Sequence, residues 1–408
     1  MPRRPVGSGS AEPRTELTAA VAPPAKPLPK LRWEPIVAWA LVGATVVLLL
    51  ICWDLNKTGV NVMNLIQSGH QGPSHAAFEH DFPNAYFPDG EGHDGQQFYA
   101  VARNPLHPTE VAADLGQNPR YRLQRILFPA LAWVLHPSGG GYGLITALLI
   151  VGAVAVVGGG VAAGALSVTL GGPPWGALAF ALMPGVYFGA RITTADGLAM
   201  ALVLGALVLS LRERWIWAIV LGIAAVLTRE VSIVPLIGLA LWRRDQAGVL
   251  LVAGPLAVAG AWFVTLRAMF PGIAYGSDRA AFLSGVRPSV HYWFSTRGFG
   301  SGATVVAAVV LVAAALIWRF RSPLAWPIVL SSVLPLFLNA EAIHLFDNLS
   351  RVLLPSMVLA ALALLGRNGF RAPPGRWPLP EPMSVLRARA RKAHNGSGRA
   401  EIERVATP

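Results

Sequence analysis

Asp94 stands in EGHDGQQFYAVARNP, residues 91–105, with Phe98 and Val101 three or four positions apart along the same stretch. At that spacing the three side chains share one face of a helix, so a lone carboxylate is carried on an amphipathic segment. Such a group can take a proton from a hydroxyl in a transition state, which makes Asp94 a candidate general base. The plainer alternative is an acid that caps or solvates a surface helix. Asp81, in EHDF, competes for the same role. A second set of residues is cationic or paired: Arg122 and Arg125, Arg191 with Asp196, Arg229 beside Glu230, then Glu341, His344, Asp347 and Arg351. Guanidinium groups make paired, charge-assisted bonds to phosphate oxygens, so these arginines suit a phosphate or pyrophosphate leaving group.

Each of these residues also has a structural reading. Asp196 follows Thr193 and Thr194 and could serve as a helix-start acid that satisfies free N–H groups. Arg229 and Glu230 could simply pair with each other, and Arg351 could snorkel to lipid headgroups. Phe98, Tyr99, Tyr292 and Trp293 are candidates for stacking on a sugar or lining a groove, against ordinary placement in an interfacial belt. His80, Asp81, His93 and Asp94 match no tight metal-ligand spacing, so no cofactor is expected and a divalent metal stays a minor alternative.

The elements that hold these residues are set by composition. Hydrophobic residues make up 54% and charged residues 13% of the 408, with a mean hydropathy of +0.50. That profile excludes an ordinary soluble domain and indicates an all-α polytopic membrane protein. Crossing the hydrocarbon core takes about 20 apolar residues, and Pro35–Leu55 supplies the first run of that length. The polar lead before it is long and no small-residue cleavage site follows, so this helix is read as an anchor rather than a signal peptide. The single cysteine, Cys52, permits no internal disulfide. The net charge of +12 is concentrated at the ends, with Arg3, Arg4, Arg14, Lys26, Lys30 and Arg32 before the first span and nine Arg or Lys after Leu365. Such placement points to anionic lipid rather than nucleic acid, and to both termini in the cytoplasm.

Three regions follow: a disordered cytoplasmic tail over 1–34, a transmembrane domain over 35–365, and a basic, disordered cytoplasmic tail over 366–408. Within the domain, residues 56–120 form a long first extracytoplasmic loop with juxtamembrane helices. This loop carries Glu79, Asp81, Asp89, Glu91, Asp94, Glu110 and Asp114 against Lys57, Arg103 and Arg120. Further spans are expected over Gly143–Leu170, Trp175–Phe188, Gly197–Leu211, Val249–Leu266, Ala303–Trp318, Leu324–Asn339 and Leu349–Leu365. Two apolar runs, Trp215–Leu227 and Val231–Leu241, are each too short for a full crossing and flank Thr228–Glu230, which brings Arg229 and Glu230 to or below the outer lipid boundary. Tyr121–Pro137 either crosses or lies as a half-helix at the interface, and the positive-inside rule favours the second, giving about ten helices within a range of about nine to twelve. Every interior charge then falls on the outer side, where clustering points to one cavity.

Four blocks resemble one family. HDGQQFYAVARNP followed by YRLQRILFPALAWVL is similar to the first outer loop of bacterial GT-C-type membrane glycosyltransferases, notably the mannosyltransferase-like group of actinobacteria. MPGVYFGARITTADGLAMAL, AAVLTREVSIVPLIGLAL and NLSRVLLP resemble later blocks of the same pattern, so the likeness covers most of residues 35–365. The resemblance implies a GT-C-like fold, a catalytic acid in the first outer loop that maps to Asp94, and polyprenyl-phosphate-linked sugar donors bound through basic residues. Many relatives carry an acid directly after the first helix, and Asp54 stands there, so it competes with Asp94. The large soluble C-terminal domain of oligosaccharyl transferases has no counterpart, which weighs against a peptide acceptor with a long sequon and leaves a glycan, lipid or protein acceptor open. The implied activity is an inverting hexosyl transfer at the outer face of the cytoplasmic membrane. A transporter or lipid-carrier flippase is the alternative from another class.

Overall fold

Uninterrupted apolar runs become long helices here, and prolines and charged pairs decide where they stop. The computed structural model describes residues 28–58, 63–273 and 281–367. Most of the two tails expected to be disordered lies outside the described residues. The elements that build the site are α1 (Trp33–Thr58), α2 (Asp94–Arg103), α3 (Pro119–Leu123), α4 (Leu127–Leu135), α5 (Gly141–Thr169), α6 (Pro184–Arg191) and α7 (Asp196–Leu211). They continue with α8 (Trp215–Thr228), α9 (Ile233–Arg243), α10 (Gln246–Met269), α11 (Phe299–Arg319), α12 (Ala325–Val333) and α13 (Phe346–Leu365). No strand forms among the described residues beyond an isolated bridge between Ser68 and Gly92. The described residues are all-α, and among them five helices (α1, α5, α10, α11 and α13) are long and apolar enough to cross a membrane. Their outward faces are apolar too, as at Leu49, Val264, Val310 and Ile317, which suits a lipid surround rather than water.

Two of the expected segments are broken. Trp175–Phe188 is not one helix: a 3-10 turn at Pro174–Ala177 runs into Leu178–Ala181, and α6 begins afresh at Pro184. The cause is Pro184, which drives Met183 to an extended conformation (φ −76°, ψ 131°), because a residue before proline avoids the helical region. Tyr121–Pro137 is divided between α3 and α4, of 5 and 9 residues, so neither reaches the length of a crossing. The short hairpin is present as read, with α8 of 14 and α9 of 11 residues separated by a 3-10 turn at Glu230–Ser232.

Helix contacts sort the charged residues to two ends. At one end, Arg212 donates to Pro29 O and Thr169 Oγ1, Arg243 holds Glu213 and Asp245 while stacking on Trp215, and Arg367 N donates to Leu170 O. The start of α1 and the end of α13 therefore lie at the same, basic end. The bundle closes on small residues. Gly160 and Gly164 of α5 face Ala40 and Ile36 of α1, where an added Cβ would stand 3.0 and 2.9 Å from the facing side chains, the close approach that small residues allow between helices. The starts of α2, α7, α9 and α13 meet at the opposite end and carry the candidate site.

Candidate functional site

Asp94 is the first residue of α2, where a carboxylate also complements the partial positive charge of a helix start. Gly95 lets it sit there. A Cβ at this position would strike the carbonyl oxygens of Ile192 and Ile66, so only glycine brings the start of α2 against the turn that leads into α7. Gly185 does the same service on the other side: its Cβ would collide with Ser350 O, which seats α6 on the first turns of α13. In the turn itself Thr193 adopts φ +54°, a left-handed conformation that a β-branched residue seldom takes. Its hydroxyl donates to Leu65 O at 2.8 Å.

These approaches produce a chain of ion pairs from Arg122 through Asp94, Arg351 and Asp196 to Arg229, with the pair Arg125–Glu230 beside it. Arg122 Nη1 donates to Asp94 Oδ1 at 2.8 Å. Arg351, from the second turn of α13, donates Nη2 to Asp94 Oδ2 at 2.9 Å, Nε to Asp196 Oδ2 at 2.6 Å and Nη1 to Asn348 Oδ1 at 3.1 Å. Asp196 also accepts from the Thr194 hydroxyl at 2.9 Å and pairs with Arg229. Arg125, in the bend between α3 and α4, grips Glu230 through two bonds of 3.1 and 3.0 Å and donates to the Tyr121 hydroxyl. Arg125, Arg351 and Asp196 are buried. Buried charges persist only when paired and fully bonded, and these are.

The pairings differ from those expected of neighbours in sequence. Arg229 and Glu230 turn to different partners, Asp196 and Arg125, so each ties the short hairpin to another element. Arg351 does not snorkel outward; it is the bridge between two acids. Asp196 does begin a helix, as its structural reading had it, and it takes part in the chain of ion pairs as well. Asp54, near the end of α1, pairs with Arg191, whose other nitrogen donates to Asn64 O. Asp81 belongs to a loop-holding group instead: it accepts from the Tyr99 hydroxyl at 2.6 Å and from Arg103 at 3.2 Å, with His80 beside it. Tyr99 in turn accepts from Gly141 N, fastening α2 to the start of α5.

Three aromatic candidates sit elsewhere than a binding surface. Phe98, Tyr99 and Trp293 are buried in apolar clusters, and Tyr292 stacks on His344 with ring centres 3.9 Å apart. The aromatic residue that does face the cavity, Tyr121, was not among the sequence candidates; its position four before Arg125 on the same short segment was the available signal. His93, which precedes Asp94, contacts Asp347 at 3.2 Å, another link that the sequence left open. Among the described residues no three of His, Cys, Asp and Glu come together as a metal site.

A cavity of about 120 Å³ opens between α7, the Arg229–Ser232 turn, the segment after α12, and α13. Arg125, Asp196, Arg229, Glu230 and Arg351 form its charged end, while Met200, Val203, Pro235, Leu334, Leu338 and Pro355 make the rest apolar. Asp94 lies directly behind Arg351. Around the site four guanidinium groups face three carboxylates, an excess of one positive charge. Burial raises the Asp94 carboxyl, but Arg351, Arg122 and Arg125 outweigh it and hold the group well below the usual carboxylate range. The arrangement can thus bind an anion against apolar surface beside an ionised acid. Comparison of the chain with protein-family models, curated proteins and solved structures gives no match.

Proposed function

We propose that the protein is a membrane glycosyltransferase of GT-C type that moves a sugar from a polyprenyl-phosphate donor to a cell-envelope acceptor at the outer face of the cytoplasmic membrane. The observation that carries this reading is the amphipathic cavity, charged and net positive at one end and apolar along the other, with an ionised carboxylate one arginine away. A lipid-linked phosphate has matching chemistry: a dianionic or monoanionic head on an apolar chain. The short hairpin α8–α9 supports lateral entry, since neither helix spans a whole bilayer by its length. The start of α1 and the end of α13 share the basic end, which supports an even number of passes, about ten, with both termini on the cytoplasmic side.

In the transfer, the acceptor hydroxyl loses its proton to a carboxylate of Asp94, its oxygen bonds to the anomeric carbon, and the bond from that carbon to the phosphate oxygen breaks. The electron pair leaves on the phosphate, where Arg351, Arg229 and Arg125 compensate the charge. Inversion at the anomeric carbon follows from a single displacement. Asp54, paired with Arg191, is the second candidate for the base. Asp94→Asn and Asp54→Asn in membranes supplied with a polyprenyl-phosphate sugar test the assignment. Full transfer by both variants, folded and at normal abundance, would remove both acids from the chemistry. A flippase would instead move the donor between leaflets and leave its sugar attached, an outcome the same donor reveals by product analysis.

A further inference from the structure

A second groove lies at the opposite, basic end, between α9 and α10 and closed on one side by Trp326 of α12. Its volume is about 480 Å³, and Ile237, Leu241, Val252 and Leu256 give it an apolar lining. It opens on the outer surface of the bundle, where Leu241 and Leu256 are half-exposed at 44% and 48%. From Asp245 to Leu256 the wall runs along α10, and at 1.5 Å per residue that is about 16 Å, the depth of one leaflet of the hydrocarbon core.

One residue at the rim gives the groove a polarity. Arg244 follows α9 in a left-handed conformation, φ +56°, which few non-glycine residues occupy. It is exposed, and its Nε donates to Leu241 O at 3.2 Å. Its remaining guanidinium nitrogens have no partner among the described residues. Neighbouring charges do not cancel it: Asp245 is committed to Arg243 at 2.8 Å and to the N–H of Gly248 at 2.8 Å, capping α10. An unneutralised cation therefore stands at the mouth of an apolar slot one leaflet deep.

We propose that this groove binds an anionic phospholipid of the leaflet at the basic end, with one acyl chain along α10 and the phosphate on Arg244. Basic pockets between helices on the cytoplasmic side recognise anionic headgroups in this way. The site rests on reading the bundle as membrane-embedded and is independent of the transferase reading.

The test uses the full chain in detergent, titrated separately with phosphatidylglycerol and phosphatidylcholine of identical acyl chains, with bound lipid counted by native mass spectrometry. The wild type should retain one phosphatidylglycerol in preference to phosphatidylcholine. Arg244→Gln, a change at an exposed residue, should weaken phosphatidylglycerol by about fivefold, the worth of one surface cation, and leave phosphatidylcholine unchanged. Ala253→Phe, which fills the slot, should abolish that binding with Arg244 intact. Equal retention of both lipids, unchanged phosphatidylglycerol binding in Arg244→Gln, or no retained lipid on the wild type would each overturn the proposal.

Discussion

Replacing Arg351 by methionine removes the cation that joins Asp94 to Asp196 while keeping most of the side-chain volume. The guanidinium makes bonds of 2.9 Å to Asp94 and 2.6 Å to Asp196 and is buried. Charges about 4 Å apart attract by about 4 kcal/mol at an effective dielectric of about 20, so two pairs lose about twice that in gross terms. Much of this is offset because the arginine no longer has to be stripped of water, and breaking a buried pair costs about 3–5 kcal/mol net. The acids left behind are not bare: Asp94 keeps Arg122, and Asp196 keeps Arg229 and Thr194. That places the expected loss for Arg351→Met at the lower bound, about 3 kcal/mol. A double-mutant cycle with Asp94→Asn isolates the bridge, since the second change should cost less once the first is made, with a coupling of about 1–3 kcal/mol. Reversible unfolding in mixed micelles, followed by the fluorescence of the 13 tryptophans, measures each corner of the cycle. Coupling below about 0.5 kcal/mol, the level of independent sites, would refute the reasoning that Asp94 and Arg351 act as a unit.

Asp94→Asn is expected to lower the rate of sugar transfer by about a hundredfold or more, the usual worth of a positioned general base, with little change in donor binding; initial rates against donor concentration separate the two. The pH dependence of stability has a definite sign. Because Asp94 is held below its unfolded value, its contribution is fully present above the unfolded value of about 3.9 and is lost as pH falls from there through the folded value. Wild type and Asp94→Asn should thus run parallel between about pH 5 and 8 and converge only in acid, as unfolding at a series of pH values will record. Gly95→Ala should displace the start of α2 from the carbonyls of Ile192 and Ile66 and reduce transfer although alanine is the better helix former, measured as activity at matched abundance. Arg125→Lys keeps the charge but loses the two-bond grip on Glu230, so donor affinity should fall by more than a conservative change implies; donor titration checks it.

The long helices were legible because burying a crossing requires unbroken apolar sequence, and α1, α5, α10, α11 and α13 all lie over runs that read as spans. The shortened hairpin was equally plain, since Thr228–Glu230 interrupts two runs that are too brief. Pro184 stood in view within Trp175–Phe188, yet the apolar count outweighed it, and the structure breaks there. What a linear reading lacks is the choice of partner. Arg229 touches Glu230 in sequence but pairs with Asp196, because the packing of α7 against α8 decides which oxygens lie within reach. The role of Asp81 was ambiguous for the same reason: only the fold brings Tyr99 and Arg103 to it. Tyr121 belongs to the cavity for the same reason: only the fold places its ring on that wall.

One tension within the site bears on how it would work. A proton acceptor is most effective with a pKa near the working pH, yet Asp94 is held far below that by the arginines around it. The same arginines supply the answer if they have a second claimant. Arg351 lines the cavity as well as touching Asp94, so a phosphate entering the cavity competes with Asp94 for one cation. Each bond that moves from carboxylate to phosphate makes the carboxylate more basic, since an opposite charge is what holds its pKa down. The base would then be weak while the cavity is empty and stronger when the donor is seated, which ties proton removal to the presence of a leaving group. Asp196 gives that movement a pivot, because it holds Arg351 through Nε, while the terminal nitrogens, now on Asn348 and Asp94, are the ones that would exchange a partner for the phosphate.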